Sequence, residues 1–143
     1  MKIGCVKEIK KQEYRVGMTP DNVRSYVNAG HTVYIETGAG EGSGFKDGEY
    51  SAAGALLCGS AEEVWEKSDM VIKVKEPLPE EYQYFREDLV LYTYFHLAAD
   101  EKLTDALLAA GVKSVAFEHL IETNATIPLL PPIRQLARRL SIQ

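Results

Sequence analysis

The chain is poor in cysteine, with only Cys5 and Cys58 among 143 residues. Two are too few for a disulfide scaffold. They show no C-x-x-C or other metal-ligand spacing, so both are expected to be buried structural thiols. Basic charge is not in excess either: 16 Lys and Arg stand against 21 Asp and Glu, a net charge of −5. That excludes the basic face a duplex-DNA binder needs. No apolar run approaches the roughly 20 residues of a membrane span. The first residues, Met1-Lys2-Ile3-Gly4-Cys5-Val6-Lys7-Glu8, reach charge too early for a secretory signal. Internal repeats, low-complexity tracts, the phosphate loop G-x-x-x-x-G-K-[ST] and the nucleophile elbow G-x-S-x-G are all missing. What remains is 45% apolar and 26% charged, the composition of an ordered domain rather than a disordered segment. A chain of this length buries roughly two thirds of its surface. A soluble cytoplasmic domain is expected.

Short apolar segments alternate with helical patterns. Strands are expected at 2–6, 32–35, 56–58, 70–74, 89–94 and 112–117. The run 89–94 is almost unbroken, as suits a strand buried on both faces. Thr19-Pro20 opens a helix whose apolar stripe is Val23, Tyr26 and Val27, and Ala29-Gly30 closes it. A second helix is expected at 47–53. Ser60-Ala61-Glu62-Glu63 has a capping-box pattern that starts a third. Asp100 caps a fourth, with the stripe Leu103, Ala106, Leu107 and Ala110 ending at Gly111. This alternation predicts an α/β fold: a Rossmann-like (flavodoxin-like) open parallel sheet with helices on both faces. Pro128-Leu129-Leu130-Pro131-Pro132 reads as a stiff turn. A basic helix over 133–143 should follow, with the stripe Ile133, Leu136, Ala137 and Leu140, and no stop signal at Gln143.

Glycine concentrates in Gly38-Ala39-Gly40-Glu41-Gly42-Ser43-Gly44, after the second expected strand. A dinucleotide fingerprint needs G-x-G-x-x-G, each glycine having its own steric task. Counting from Gly38 puts Ser43 in the third place, and counting from Gly40 puts Phe45 there. Neither register fits, so a mobile or tightly turning loop is expected. Open parallel sheets bind ligands outside the carboxyl ends of their strands. Lys75 lies just past the strand 70–74, His96 just past 89–94, and Arg15 follows the first strand. A guanidinium fork suits a carboxylate, a lysine holds an anionic or carbonyl oxygen, and a histidine moves a proton near neutral pH. Each alone also reads as a solvated charge or a cap. Three together suit one small acid, and Glu118 ends a strand at the same edge. His31 and His119 are expected to serve packing or capping.

The segments Val6-Lys7-Glu8-Ile9-Lys10, Glu13-Tyr14-Arg15-Val16 with Thr19-Pro20, Ala29-Gly30-His31, Glu36-Thr37-Gly38-Ala39-Gly40, Gly42-Ser43-Gly44-Phe45, Val74-Lys75-Glu76-Pro77 and Tyr94-Phe95-His96-Leu97-Ala98 resemble the front part of alanine dehydrogenases. The resemblance runs nearly continuously over 1–128. It implies NAD-dependent, reversible oxidative deamination of L-alanine to pyruvate and ammonium. It further implies that 1–128 is the N-terminal part of a substrate domain, with 129–143 leading toward an NAD-binding domain absent from the chain. Arg15 and Lys75 would hold the carboxylate and carbonyl oxygens of pyruvate, His96 would be the catalytic acid/base, and Tyr94 and Glu118 would line the site. Ile133 would offer an apolar face to the nicotinamide, and no metal is implied. L-alanine and pyruvate are the implied partners, with no nucleic acid and no membrane. A homo-oligomer is expected, hexameric in the family, and the unpaired sheet edge and the tail's apolar stripe favour association. The 143 residues alone are expected to be inactive. The alpha subunit of proton-translocating transhydrogenase is similar in its Arg-Val and Thr-Pro elements, but it lacks the lysine–histidine pair in this form. The tail departs from the family pattern: Pro131-Pro132-Ile133-Arg134 stands in place of Thr-Pro-Met-Ser, and Arg138 in place of glycine. That departure keeps open a non-catalytic ligand-binding or regulatory module.

Overall fold

A computed structural model describes residues 1–94 and 100–116. Strands β1 (Lys2–Cys5), β2 (Thr32–Glu36), β3 (Leu56–Cys58), β4 (Met70–Ile72), β5 (Val90–Thr93) and β6 (Lys113–Ala116) alternate with helices α1 (Pro20–Asn28), α2 (Asp47–Ala52), α3 (Ala61–Lys67) and α4 (Glu101–Ala110). All pairings are parallel, in the order β3-β2-β1-β4-β5-β6. This is the Rossmann order, which reverses between β1 and β4.

Strand periodicity explains how two cores share one sheet, because successive side chains point to opposite faces. Ile3, Cys5, Val33, Ile35, Met70, Ile72 and Tyr92 pack with Val23 and Tyr26 of α1 and Tyr50 of α2. Val71 and Leu91 pack with Val64 and Trp65 of α3 and Leu103 and Leu107 of α4. The expected α/β architecture, with helices on both faces, is what the chain forms. Gly4 has no side chain where α3 comes closest: a Cβ there would lie 2.0 Å from Ser68 Oγ and 2.7 Å from Val64 Cγ1. Both cysteines are buried and free, as expected.

The helix ends follow local chemistry. Thr19 Oγ1 accepts from the Asn22 N–H at 3.2 Å, and Asn22 Oδ1 accepts from the Thr19 N–H at 3.0 Å, a reciprocal cap. Asp100 Oδ1 accepts from the Leu103 N–H at 3.0 Å. Gly30 and Gly111 close α1 and α4 at φ of 92° and 73°, where side chains are disfavoured. At α3 the expected box is shifted: Ser60 Oγ accepts from the Glu63 N–H, but Glu63 Oε2 takes the N–H of Gly59 rather than that of Ser60. An unexpected 3-10 helix, Pro79–Tyr84, follows β4. Its aromatic residues cover α3, with Tyr84 stacked on Trp65 at 5.8 Å. Among the described residues no helix is long and apolar enough to cross a membrane. The turn 128–132, the helix 133–143 and His119 lie outside the described residues.

Candidate functional site

The strand order reverses between β1 and β4, so the loops leaving these two strands border the crevice where such sheets take ligands. Arg15 belongs to the first loop and Lys75 to the second. The two loops touch through main chain: a Cβ on Gly17 would come within 2.8 Å of the Ile72 carbonyl oxygen at the end of β4. A third expected residue joins them. The Tyr94 N–H donates to the Val74 carbonyl at 3.4 Å, and its ring packs against the α1/α2 core. Arg15, Lys75 and Tyr94 therefore issue from the carboxyl ends of β1, β4 and β5. His96, Glu118 and Ile133 lie outside the described residues.

Arg15 is half exposed and held by a neighbour. Its Nε donates to Glu13 Oε1 at 2.7 Å and its Nη2 to Glu13 Oε2 at 3.3 Å, while the Glu13 side chain is nearly buried. Glu13 grips one edge of the guanidinium and leaves Nη1 outside this pairing. The glycine segment supports the same loop from below. Ser43 Oγ donates to the Tyr14 carbonyl at 2.9 Å, and a Cβ on Gly42 would meet that oxygen at 2.7 Å. Gly38 and Gly44 turn the segment at φ of 83° and 84°. A tight turn, the second of the two expected forms, is what the sequence builds there.

Beneath Lys75 sits a buried ionic cluster that pattern reading missed. Lys73 is 1% exposed, and its Nζ lies 3.4 Å from Glu8 Oε1 and 3.3 Å from Glu81 Oε2. Glu8 also accepts backbone hydrogen bonds, Oε2 from Val74 at 3.1 Å and Oε1 from Lys75 at 3.0 Å. Glu81 Oε1 takes the Leu78 N–H at 3.1 Å. Burial pushes the Glu8 carboxyl above the ordinary glutamate range, against the pull of Lys73 and the two N–H donors. Burial works against the Lys73 charge, yet Glu8 and Glu81 outweigh it and hold that ammonium above the ordinary lysine value. Lys10 and Glu76 form a further ion pair between the two loops. One signal was available in the sequence: a lysine inside the run Val71-Ile72-Lys73-Val74 needs a countercharge if the strand is buried. Its identity was not, because Glu8 lies far away along the chain.

The described residues do not fit a dinucleotide. The turn after β1 reads Val6-Lys7-Glu8-Ile9-Lys10, without the glycines that let a pyrophosphate approach. Glu36 ends β2, where a ribose-binding acid would stand, but its Oε2 accepts from the Lys7 N–H at 2.7 Å. The glycine segment is closed by Asp47, whose Oδ1 takes the Gly38 N–H at 2.9 Å, and by the Tyr50 ring 2.6 Å from where a Gly40 Cβ would be. No group of three or more His, Cys, Asp or Glu side chains among the described residues is placed to hold a metal ion. His31 serves the terminus, its Nδ1 lying 3.2 Å from the Met1 ammonium. Slight burial and that charge lower its pKa.

Fold and site together define a Rossmann-ordered α/β domain that brings cationic residues to its switch point, with no nucleotide cradle among the described residues. The family model for the alanine dehydrogenase/PNT N-terminal domain matches residues 4–137. The chain belongs to that family. It is 51% identical over its whole length to alanine dehydrogenase 2 of Staphylococcus aureus (strain USA300) and spans 38% of that protein. A solved L-alanine dehydrogenase superposes with a TM-score of 0.81 at 52% identity, over 82% of this chain and 32% of the other. A transhydrogenase from Sinorhizobium meliloti superposes at 0.77 with 28% identity, over 82% of this chain and 34% of that one.

Proposed function

We propose that this chain is the N-terminal substrate-binding part of an NAD-dependent L-alanine dehydrogenase, catalysing the reversible deamination of L-alanine to pyruvate and ammonium. The observation that carries this is the joining of the Arg15 and Lys75 loops across the switch point, Gly17 lying against Ile72 and Glu8 holding Lys75. In this role the Arg15 fork pairs with the substrate carboxylate through the part Glu13 does not hold, and the Lys75 ammonium takes the carbonyl oxygen. Tyr94 and Glu118 line the pocket, and His96 exchanges the proton as acid/base. The dinucleotide is held by protein other than the described residues, which build no cradle for it. Ile133 supplies at most an apolar face to the nicotinamide. The enzyme works in the cytoplasm as a homo-oligomer, and the chain by itself has no turnover. The domain boundary falls at 128, with 129–143 leading on.

The test is a graft of residues 1–143 in place of the matching segment of the Staphylococcus aureus enzyme, assayed for alanine-dependent NADH formation. The graft should turn over while the isolated chain does not, and Lys75→Ala in the graft should lower kcat/KM by at least about 100-fold, the loss expected of a charged substrate contact. A graft that folds and binds NAD but leaves alanine untouched would refute the assignment. The likeness to transhydrogenase favours a second reading, a transhydrogenase-like or non-catalytic ligand-binding module. That same inert graft is its expected result.

A further inference from the structure

The pairing of β1 with β4 stops at Cys5 opposite Ile72. Beyond that point both strands have ended, and Val74 and Lys75 bend toward the crevice with backbone N–H groups that no neighbouring strand takes. A buried donor left without a partner is costly. Glu8 supplies the partner: its two carboxylate oxygens take the N–H groups of Val74 and Lys75 at 3.1 and 3.0 Å. A side chain from the loop after β1 thus takes two successive amides in the bend that follows β4. The carboxylate is itself fixed from behind by the Lys73 ammonium, which Glu81 also contacts. One ammonium needs only one countercharge, so the second carboxylate calls for another explanation. Glu81 accepts from the N–H of Leu78, the residue that caps its own 3-10 turn. Glu8 has no such local task and reaches across to the loop that carries Lys75.

We infer that Glu8 is a positioning residue for Lys75, clamping its backbone at the switch point so that the ammonium meets the substrate from a fixed origin, with Lys73 as the buried counterion that holds the clamp. This rests on the proposed substrate role of Lys75. Glu8 touches no substrate itself. A charge-assisted hydrogen bond to a main-chain amide removes freedom from the residue it holds, and that freedom would otherwise be lost on binding.

Two measurements on the 143-residue chain test this: amide hydrogen exchange by NMR, and pyruvate affinity by calorimetry. Glu8→Gln should speed exchange at Val74 and Lys75 at least about tenfold, while the amides of β1 and β2 keep their protection. It should also weaken pyruvate binding about tenfold, the loss of one charge-assisted hydrogen bond. In a Lys75→Ala background the same change should cost no further affinity, since Glu8 acts through Lys75. A purely structural role would weaken both backgrounds alike and would overturn the inference, as would unchanged exchange at Val74 and Lys75. Faster exchange combined with pyruvate affinity indifferent to Lys75→Ala would instead overturn the substrate role of Lys75 and leave the clamp in place. Should the glutamine variant fail to fold, Glu8→Asp keeps the charge but shortens the reach by one methylene, and it should give the same pattern.

Discussion

The two faces of the sheet and its carboxyl edge are built on opposite terms. The faces are apolar and close-packed, with Trp65, Tyr26, Ile3, Met70 and Leu91 each no more than 1% exposed. At the edge, Lys73 is equally buried, and Glu81 and Glu8 are buried beside it, at 4% and 7% exposed. The faces draw their stability from area removed from water, which is insensitive to pH. The edge trades desolvation against pairing and gains little net stability for it. The comparison teaches where function is expected. Among the described residues, buried charges lie next to the switch point, where loops must be held in register, and none lies between sheet and helices.

The largest expected effect falls on the faces. Trp65→Ala opens a void beneath Tyr84 and Phe85 and should cost about 3–5 kcal/mol in urea unfolding, equally at acid and neutral pH. At the edge, Lys73→Met leaves Glu8 and Glu81 buried without a cation and should cost about 3 kcal/mol at neutral pH. That deficit should shrink on acidification, as the carboxyls protonate. A deficit flat in pH would erase the contrast between the two regions.

A smaller effect sharpens the contrast in the unaltered chain. Burial holds the pKa of the folded Glu8 carboxyl above the ordinary glutamate value of about 4.5. Between the unfolded value and that raised one, the folded state binds a proton that the unfolded state lacks. The contribution of Glu8 is therefore fully present below about pH 4.5 and lost as pH rises through the folded pKa. Urea midpoints of the wild type minus those of Glu8→Gln should fall with rising pH across that window. A difference that rises instead would mean that Lys73 and the two N–H donors outweigh burial. The smallest effect is chemical. Burial, reinforced by Glu8, pushes the Cys5 thiol up to about 12, so thiol reagents should label it only after unfolding.

Much of this was legible because it is local. Thr19, Ser60 and Asp100 cap helices with their own side chains, and Gly30 and Gly111 end them through backbone freedom. Short apolar and β-branched runs marked the strands, since a strand covered on both faces needs apolar residues at successive positions. Boundaries were less legible. The strand expected over 70–74 is assigned only to Ile72, yet the Lys73 N–H still bonds the Tyr92 carbonyl at 3.0 Å. The 3-10 turn after Pro79 was missed because Pro77 and Pro79 read as a stop.

By itself the sequence determined the six strands and four helices of the described residues, their parallel class and the presence of Arg15 and Lys75 after strand ends. Only the tertiary structure decided that β1 and β4 are the neighbours across the reversal, because parallel pairing joins segments that no local pattern links. It also decided that Lys73 is buried. A lysine two residues before Lys75 looks solvated until Glu8, distant along the chain, is folded against it to supply the missing charge.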